Sequence, residues 1–160
     1  MSTLAFRNVE ASREDPVPSW PVEAIQTALE RGGLSDWQLL AAAIRSEPWG
    51  VVARRVEEVL RYSRPYGVAD ALERVIAIAR ERAEDEDRHA VAREVSSLIG
   101  QSGLSRAEFA SRIGTSPSRL STYASGKVTP SAALLFRMLR LTRRGTGDLR
   151  EATQAASRIP

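Results

Sequence analysis

The chain has 160 residues, 42% of them hydrophobic and 27% charged, which is the composition of one soluble domain or two small ones. It holds no cysteine and a single histidine, His89. That excludes disulfide staples, thiolate catalysis, cysteine-rich zinc sites and paired-histidine metal sites, and leaves no spare base for a conventional triad.

The net charge of +3 conceals an uneven distribution. Residues 1–87 hold 11 Arg and 16 Asp/Glu, a balance of −5; residues 88–160 hold 12 Lys/Arg and 4 Asp/Glu, a balance of +8. An acidic half joined to a basic half points to a polyanion-binding module with a differently employed companion. No apolar run approaches the roughly 20 residues of a membrane span. The N-terminus lacks the pattern of a secretory signal, so the cytoplasm is the expected compartment.

Residues 1–19 are polar, carry Pro16 and Pro18, and read as a flexible or loosely docked arm. Helical periodicity begins at Trp20, with Ile25, Ala28 and Leu29 on one face before Gly32-Gly33. Ser35-Asp36-Trp37-Gln38 has the form of a capping box, opening a helix that buries Leu39, Leu40, Ala43 and Ile44. Pro48 is expected to start a third helix, with Val51, Val52, Val56, Val59 and Leu60 inward. A turn at Tyr62–Gly67 precedes a fourth, with Leu72, Val75, Ile76 and Ala79 at core spacing.

Glu84-Asp85-Glu86-Asp87 reads as a helix junction, and Arg88–Gln101 as a fifth helix burying Val91, Val95, Leu98 and Ile99. His89, beside the acidic run, reads as a surface residue. No alternation persists for the length of a strand, so the expected fold class is all-α. The three tryptophans (20, 37 and 49) all lie in the acidic half; two fit a small core and one an exposed interface anchor. Gly33-Leu34-Ser35 echoes Gly103-Leu104-Ser105, a possible internal repeat at an offset of 70.

Residues 103–131, GLSRAEFASRIGTSPSRLSTYASGKVTPS, are the most informative stretch. Ser105 and Glu108 form a capping box, and Phe109, Ala110 and Ile113 are the inward positions of a short helix. Gly114-Thr115 turns the chain, and Ser116-Pro117 starts a second helix with an N-cap and a first-turn proline. That helix, Pro117–Ala124, has Leu120 and Tyr123 inward and Ser118, Arg119, Ser121 and Thr122 on its other side. Ser131 caps a last helix carrying Leu134, Leu135, Met138, Leu139 and Leu141; residues 146–158 read as a further short helix.

This stretch resembles the lambda-repressor-like helix-turn-helix family, the Xre or Cro/C1 type, closely over 103–131 and loosely over 90–142. The resemblance implies a bundle of four or five helices, with the helix Pro117–Ala124 lying in a DNA major groove. It implies that Arg106 contacts phosphate, at a position where the family commonly has Gln. The loop Ser125-Gly126-Lys127 would approach the sugar-phosphate backbone. Arg119 is suited to guanine O6 and N7, while Ser118 and Thr122 suit base edges or a thymine methyl. Pro117 stands where a polar base-reading residue is usual, which shifts weight to Arg119 and DNA shape.

The expected DNA-binding set is therefore Arg106, Ser116, Pro117, Ser118, Arg119, Ser121, Thr122, Ser125 and Lys127, with no catalytic or metal site and no cofactor. The expected organisation is an arm (1–19), an acidic helical domain (20–85) for dimerisation or partner binding, a helix-turn-helix domain (86–145) and a tail (146–160). The function expected is that of a non-enzymatic regulator, a homodimeric repressor on double-stranded DNA. The alternative is an antitoxin-like module that binds a partner protein through its acidic half and autoregulates its operon.

Overall fold

The computed structural model describes residues 11–156, with side chains described as far as residue 145. Among the described residues the fold is all-helical. A 3-10 turn, Val17–Ser19, is followed by α1 (Val22–Arg31), α2 (Leu34–Ser46), α3 (Val51–Leu60), α4 (Val68–Gln101), α5 (Arg106–Ile113), α6 (Pro117–Ala124) and α7 (Ala132–Ala156). The chain divides into two compact units at Glu84/Asp85.

In the first unit, α1, α2 and α3 pack on one another, and the first part of α4 joins their core. Helix α1 buries Ala24, Ile25, Ala28 and Leu29, one stripe at helical spacing. Trp20 is fully buried, and its indole N–H donates to the carbonyl of Asp15 at 3.0 Å. Arg55 donates to the carbonyls of Pro18 (3.0 Å) and Trp20 (2.6 Å). Ala11 and Val17 pack against the same core, so the arm is docked from residue 11 onward. Its first ten residues lie outside the described residues. Trp37 is half-buried and donates to the carbonyl of Ala28 at 3.0 Å, whereas Trp49 is 49% exposed.

Three local expectations for this unit are corrected. Helix α2 is capped not by Ser35 but by Gly33, whose N–H donates to Asp36 Oδ2 at 2.9 Å. The other oxygen of the buried Asp36 pairs with Arg13 Nε at 2.6 Å, and Arg13 also donates to Ser35 Oγ at 2.7 Å. Leu39 is exposed, because a helix starting at Leu34 turns Leu40, Ala41 and Ile44 to the core instead. Pro48 lies in the turn before α3, which starts at Val51 behind Gly50; the Gly50 N–H donates to the Glu47 carbonyl at 2.9 Å.

Residues 84–87 are not a junction: α4 runs unbroken from Val68 to Gln101. The stretch between Val68 and Ile99 contains no Gly or Pro, and Glu, Asp, Arg and Ala all tolerate a helical backbone. What changes there is burial. Ala79 is the last residue given to the first core and Val91 the first given to the second, and those between are mostly solvated. Likewise α7 continues through residues 146–156, so no separate terminal helix starts there; residues 157 and 158 lie outside the described residues. The echo at offset 70 is also dissolved. Its two copies are capped in different registers, at Gly33 with Asp36 and at Ser105 with Glu108.

The second unit packs Val95, Leu98 and Ile99 of α4 around Phe109, Ala110 and Ile113 of α5, Leu120 and Tyr123 of α6, and Met138 of α7. Thr142, buried on α7, donates to the carbonyls of Met138 (3.1 Å) and Leu98 (3.4 Å).

Asp36 keeps its buried charge matched only while Arg13 is present. Arg13→Ala is expected to lower the unfolding free energy by about 1–3 kcal/mol, measured by urea denaturation, through loss of the ion pair at an oxygen that accepts no hydrogen bond.

Candidate nucleic-acid interface

Helix α5 is closed at both ends. At its start Ser105 Oγ accepts the Glu108 N–H (3.3 Å), while Glu108 Oε2 accepts from the Ser105 hydroxyl (2.7 Å) and N–H (3.0 Å). These bonds, the hydroxyl's first and the backbone's second, hold the Glu108 carboxyl below the usual carboxylate range. At its end Gly114 sits at φ +79°, where a side chain is disfavoured. Its N–H donates to the Ser111 carbonyl (3.1 Å) and that of Thr115 to Ala110 (2.9 Å), the paired bonds of a Schellman turn. Arg137, arriving from α7, adds a third link, donating to the Ile113 carbonyl at 3.3 Å. Sequence reasoning missed Arg137, since a contact 24 residues away leaves no local signal.

Helix α6 starts behind this turn. Ser116 Oγ accepts the Arg119 N–H at 3.2 Å, and Pro117 occupies the first turn, where its missing N–H costs nothing. Leu120 and Tyr123 are its buried residues, so Tyr123 is core and not a stacking platform. Ser118, Arg119 and Ser121 are exposed on the opposite side. Thr122 is half-buried, and its hydroxyl donates to the Arg119 carbonyl at 2.7 Å. It therefore faces outward as a methyl and an acceptor rather than as a donor.

The chain leaves α6 through Ser125, whose hydroxyl donates to the Thr122 carbonyl at 3.2 Å, and Gly126 at φ +76°. A side-chain carbon added to Gly126 would also come within 3.5 Å of Ala92 Cβ. Lys127 follows, exposed. Ser116 thus caps the short helix that holds Pro117 through Thr122, with Ser125 and Lys127 in the loop after it. Arg106 is apart from them as the exposed first residue of α5, about 12 Å of helix away from the Gly114 turn.

The electrostatics are one-sided. Residues 103–145 carry eight Lys/Arg and a single carboxylate, Glu108, which is committed to Ser105. Arg106, Arg112, Arg119 and Lys127 are exposed and form no ion pair among the described residues. An outward polar helix face beside unpaired cations can take up phosphate and base edges together.

Two measurements follow from the caps. Gly114→Ala forces a side chain into the left-handed region, and Ser116→Ala removes an N-cap. Each is expected to cost about 1 kcal/mol in thermal unfolding, with helical content retained. Acidification is expected to act at the other end. A depressed carboxylate contributes its stabilisation at neutral pH and loses it as pH falls through its lowered value, so wild type loses stability there and Glu108→Gln less so.

No helix among the described residues is long and apolar enough to cross a membrane. No curated protein and no solved structure matches the chain. The helix-turn-helix family HTH_3, of the lambda-repressor-like (Xre, Cro/C1) type, matches residues 97–149, from the end of α4 into α7. That match spans the segment carrying the turn at Gly114 and the outward face of α6, and so supports a DNA-binding helix-turn-helix there.

Proposed function

We propose that this protein is a sequence-specific transcriptional regulator acting in the cytoplasm, a dimeric repressor that reads an inverted repeat in double-stranded DNA through α6. The observation that supports this most is the outward side of α6: Ser118, Arg119 and Ser121 are exposed, and Arg119 forms no ion pair among the described residues. Arg119 reads guanine through two parallel hydrogen bonds. Ser118 and Ser121 supply short hydroxyls at base edges, and the Thr122 methyl meets thymine.

Ser116 and Pro117 set the entry of the helix, with the Ser116 hydroxyl at the phosphate edge. Arg106, Ser125 and Lys127 hold the backbone and fix register without reading sequence. Two copies on half-sites about 34 Å apart multiply specificity, and occupancy of a promoter excludes polymerase.

The test is a titration of the full chain against its own upstream DNA and a random duplex at several salt concentrations. Preference for the upstream DNA and a steep salt slope are expected; equal affinity, or a flat response, overturns the reading. Arg119→Ala is expected to cost about 1–3 kcal/mol at the cognate site and to relax base preference there. Lys127→Ala should weaken all sequences alike and reduce the salt slope by about one.

One feature of the first unit favours the second reading, a partner-binding antitoxin-like module. An apolar groove of about 350 Å³ lies between α2 and α4, lined by Trp37, Val68, Ala71 and Val75, with Leu34 and Tyr66 exposed at its rim. Under that reading, Leu34→Ser with Tyr66→Ser abolishes co-purification of a neighbour-encoded protein while DNA affinity and melting temperature stay at wild-type values. Retained co-purification rules the groove out.

A further inference from the structure

Helix α6 packs chiefly on α5, and α5 in turn packs on α7. The angle at which α6 leaves the bundle is therefore set at the Gly114 turn. The Schellman pair there takes up the carbonyls of Ala110 and Ser111. The carbonyl of Ile113, at the very end of α5, lies beyond that pair, and Arg137 Nη1 donates to it at 3.3 Å. The same nitrogen stands 3.6 Å from the place that a side-chain carbon on Gly114 would occupy, so it lies against the turn itself.

Both partners of this bond are fixed by the second core. Ile113 is buried in it, and so is Met138, the residue after Arg137, whereas Phe136 before it is 63% exposed. Arg137 thus comes from the rim of α7, with its backbone held and its side chain at the surface. It forms no ion pair among the described residues. Such a group can hold the turn or meet a phosphate. Turning it to a phosphate would strip the half-buried bond from the Ile113 carbonyl, which favours the first use.

We infer that Arg137 is a positioning residue for base reading: by holding the Ile113 carbonyl it fixes the swing of α6, and so governs how sharply Arg119 discriminates between bases. This rests on the DNA-reading role proposed above for α6. A swing of about 10° at the turn carries the middle of that helix, about 8 Å on, sideways by about 1.5 Å. Two parallel hydrogen bonds to a guanine edge do not survive such a shift, whereas long, flexible cations re-aim at phosphates. Loss of the Arg137 bond therefore falls on discrimination. It spares the affinity for any duplex, which phosphate contacts supply.

The experiment titrates the full chain, as wild type, Arg137→Met and Arg137→Lys, against its own upstream DNA and a random duplex at several salt concentrations. Methionine keeps an apolar stem and removes the donor, whereas lysine returns a charged donor on a stem of similar reach. Arg137→Met is expected to lower the preference for upstream DNA about tenfold, the weight of one charge-assisted hydrogen bond. Its affinity for the random duplex and its salt slope are expected to match wild type. Arg137→Lys is expected to recover most of the preference. All titrations run well below each variant's melting temperature, and any unfolded fraction weakens both duplexes alike, so the ratio is blind to stability.

An unchanged preference in Arg137→Met overturns the positioning role; a lower melting temperature alone then makes the bond a purely structural one. A salt slope reduced by about one, with both duplexes weakened alike, overturns it as well and makes Arg137 a phosphate contact. A lysine variant as indiscriminate as methionine overturns the assignment to the hydrogen bond. In each of these cases wild type still prefers its upstream DNA, and the regulator reading stands. A wild type with no preference overturns that reading itself, and the role of Arg137 with it.

Discussion

Helix α6 is eight residues long and gives only Leu120 and Tyr123 to the core. A helix that short has no stability of its own, so everything proposed for its outer face depends on how its two ends and two buried side chains are held. The hold is made upstream. The paired bonds across Gly114 end α5 and aim the chain at Ser116, which caps α6 before its first full turn. Phe109, Ala110 and Met138 complete the surface on which Leu120 and Tyr123 rest. With its inward side so anchored, the outward side is free to carry residues chosen for chemistry rather than for packing.

That division explains the distribution of charge. In the second unit the carboxylate nearest the turn, Glu108, is tied into a cap, and Arg119 and Lys127 form no ion pair among the described residues. Unpaired surface cations add little to folding, since exposed ion pairs contribute little even when formed. Their accumulation over residues 103–145 is more readily understood as serving a polyanion. The first unit spreads charges of both signs and uses several of its arginines internally. Arg80, for example, bridges Glu57 at 2.7 Å and the Pro48 carbonyl at 3.1 Å, and Arg64 pairs with Glu73 at 2.6 Å. An arginine so occupied is not available to a nucleic acid.

Helix α4 takes part in both cores. Its apolar stripe is interrupted between Ala79 and Val91, while its backbone is not. Hydrophobic periodicity and helical continuity are different properties: the first reports what a helix packs against, the second only whether each residue tolerates the conformation. Reading the loss of one as the loss of the other is what placed a junction at Glu84–Asp87. The same reasoning applies to α7, which passes through Gly145 and Gly147 without stopping.

The sequence by itself was sufficient for the all-helical class and for the helix-turn-helix segment, because the signals there are local. Ser105 with Glu108, Gly114, and Ser116 with Pro117 act within a few residues of where they stand. The inward residues Phe109, Ile113 and Leu120 could be read from spacing alone. At Ser35 the local signal misled, since Asp36 is drawn two ways at once, to the Gly33 N–H and to Arg13, a partner 23 positions away. Only the tertiary structure decided that residues 11–19 are docked, that Arg137 closes the turn before α6, and that Phe136 is left uncovered. Each depends on what lies across a helix rather than along it, and periodicity carries no record of which neighbour is there.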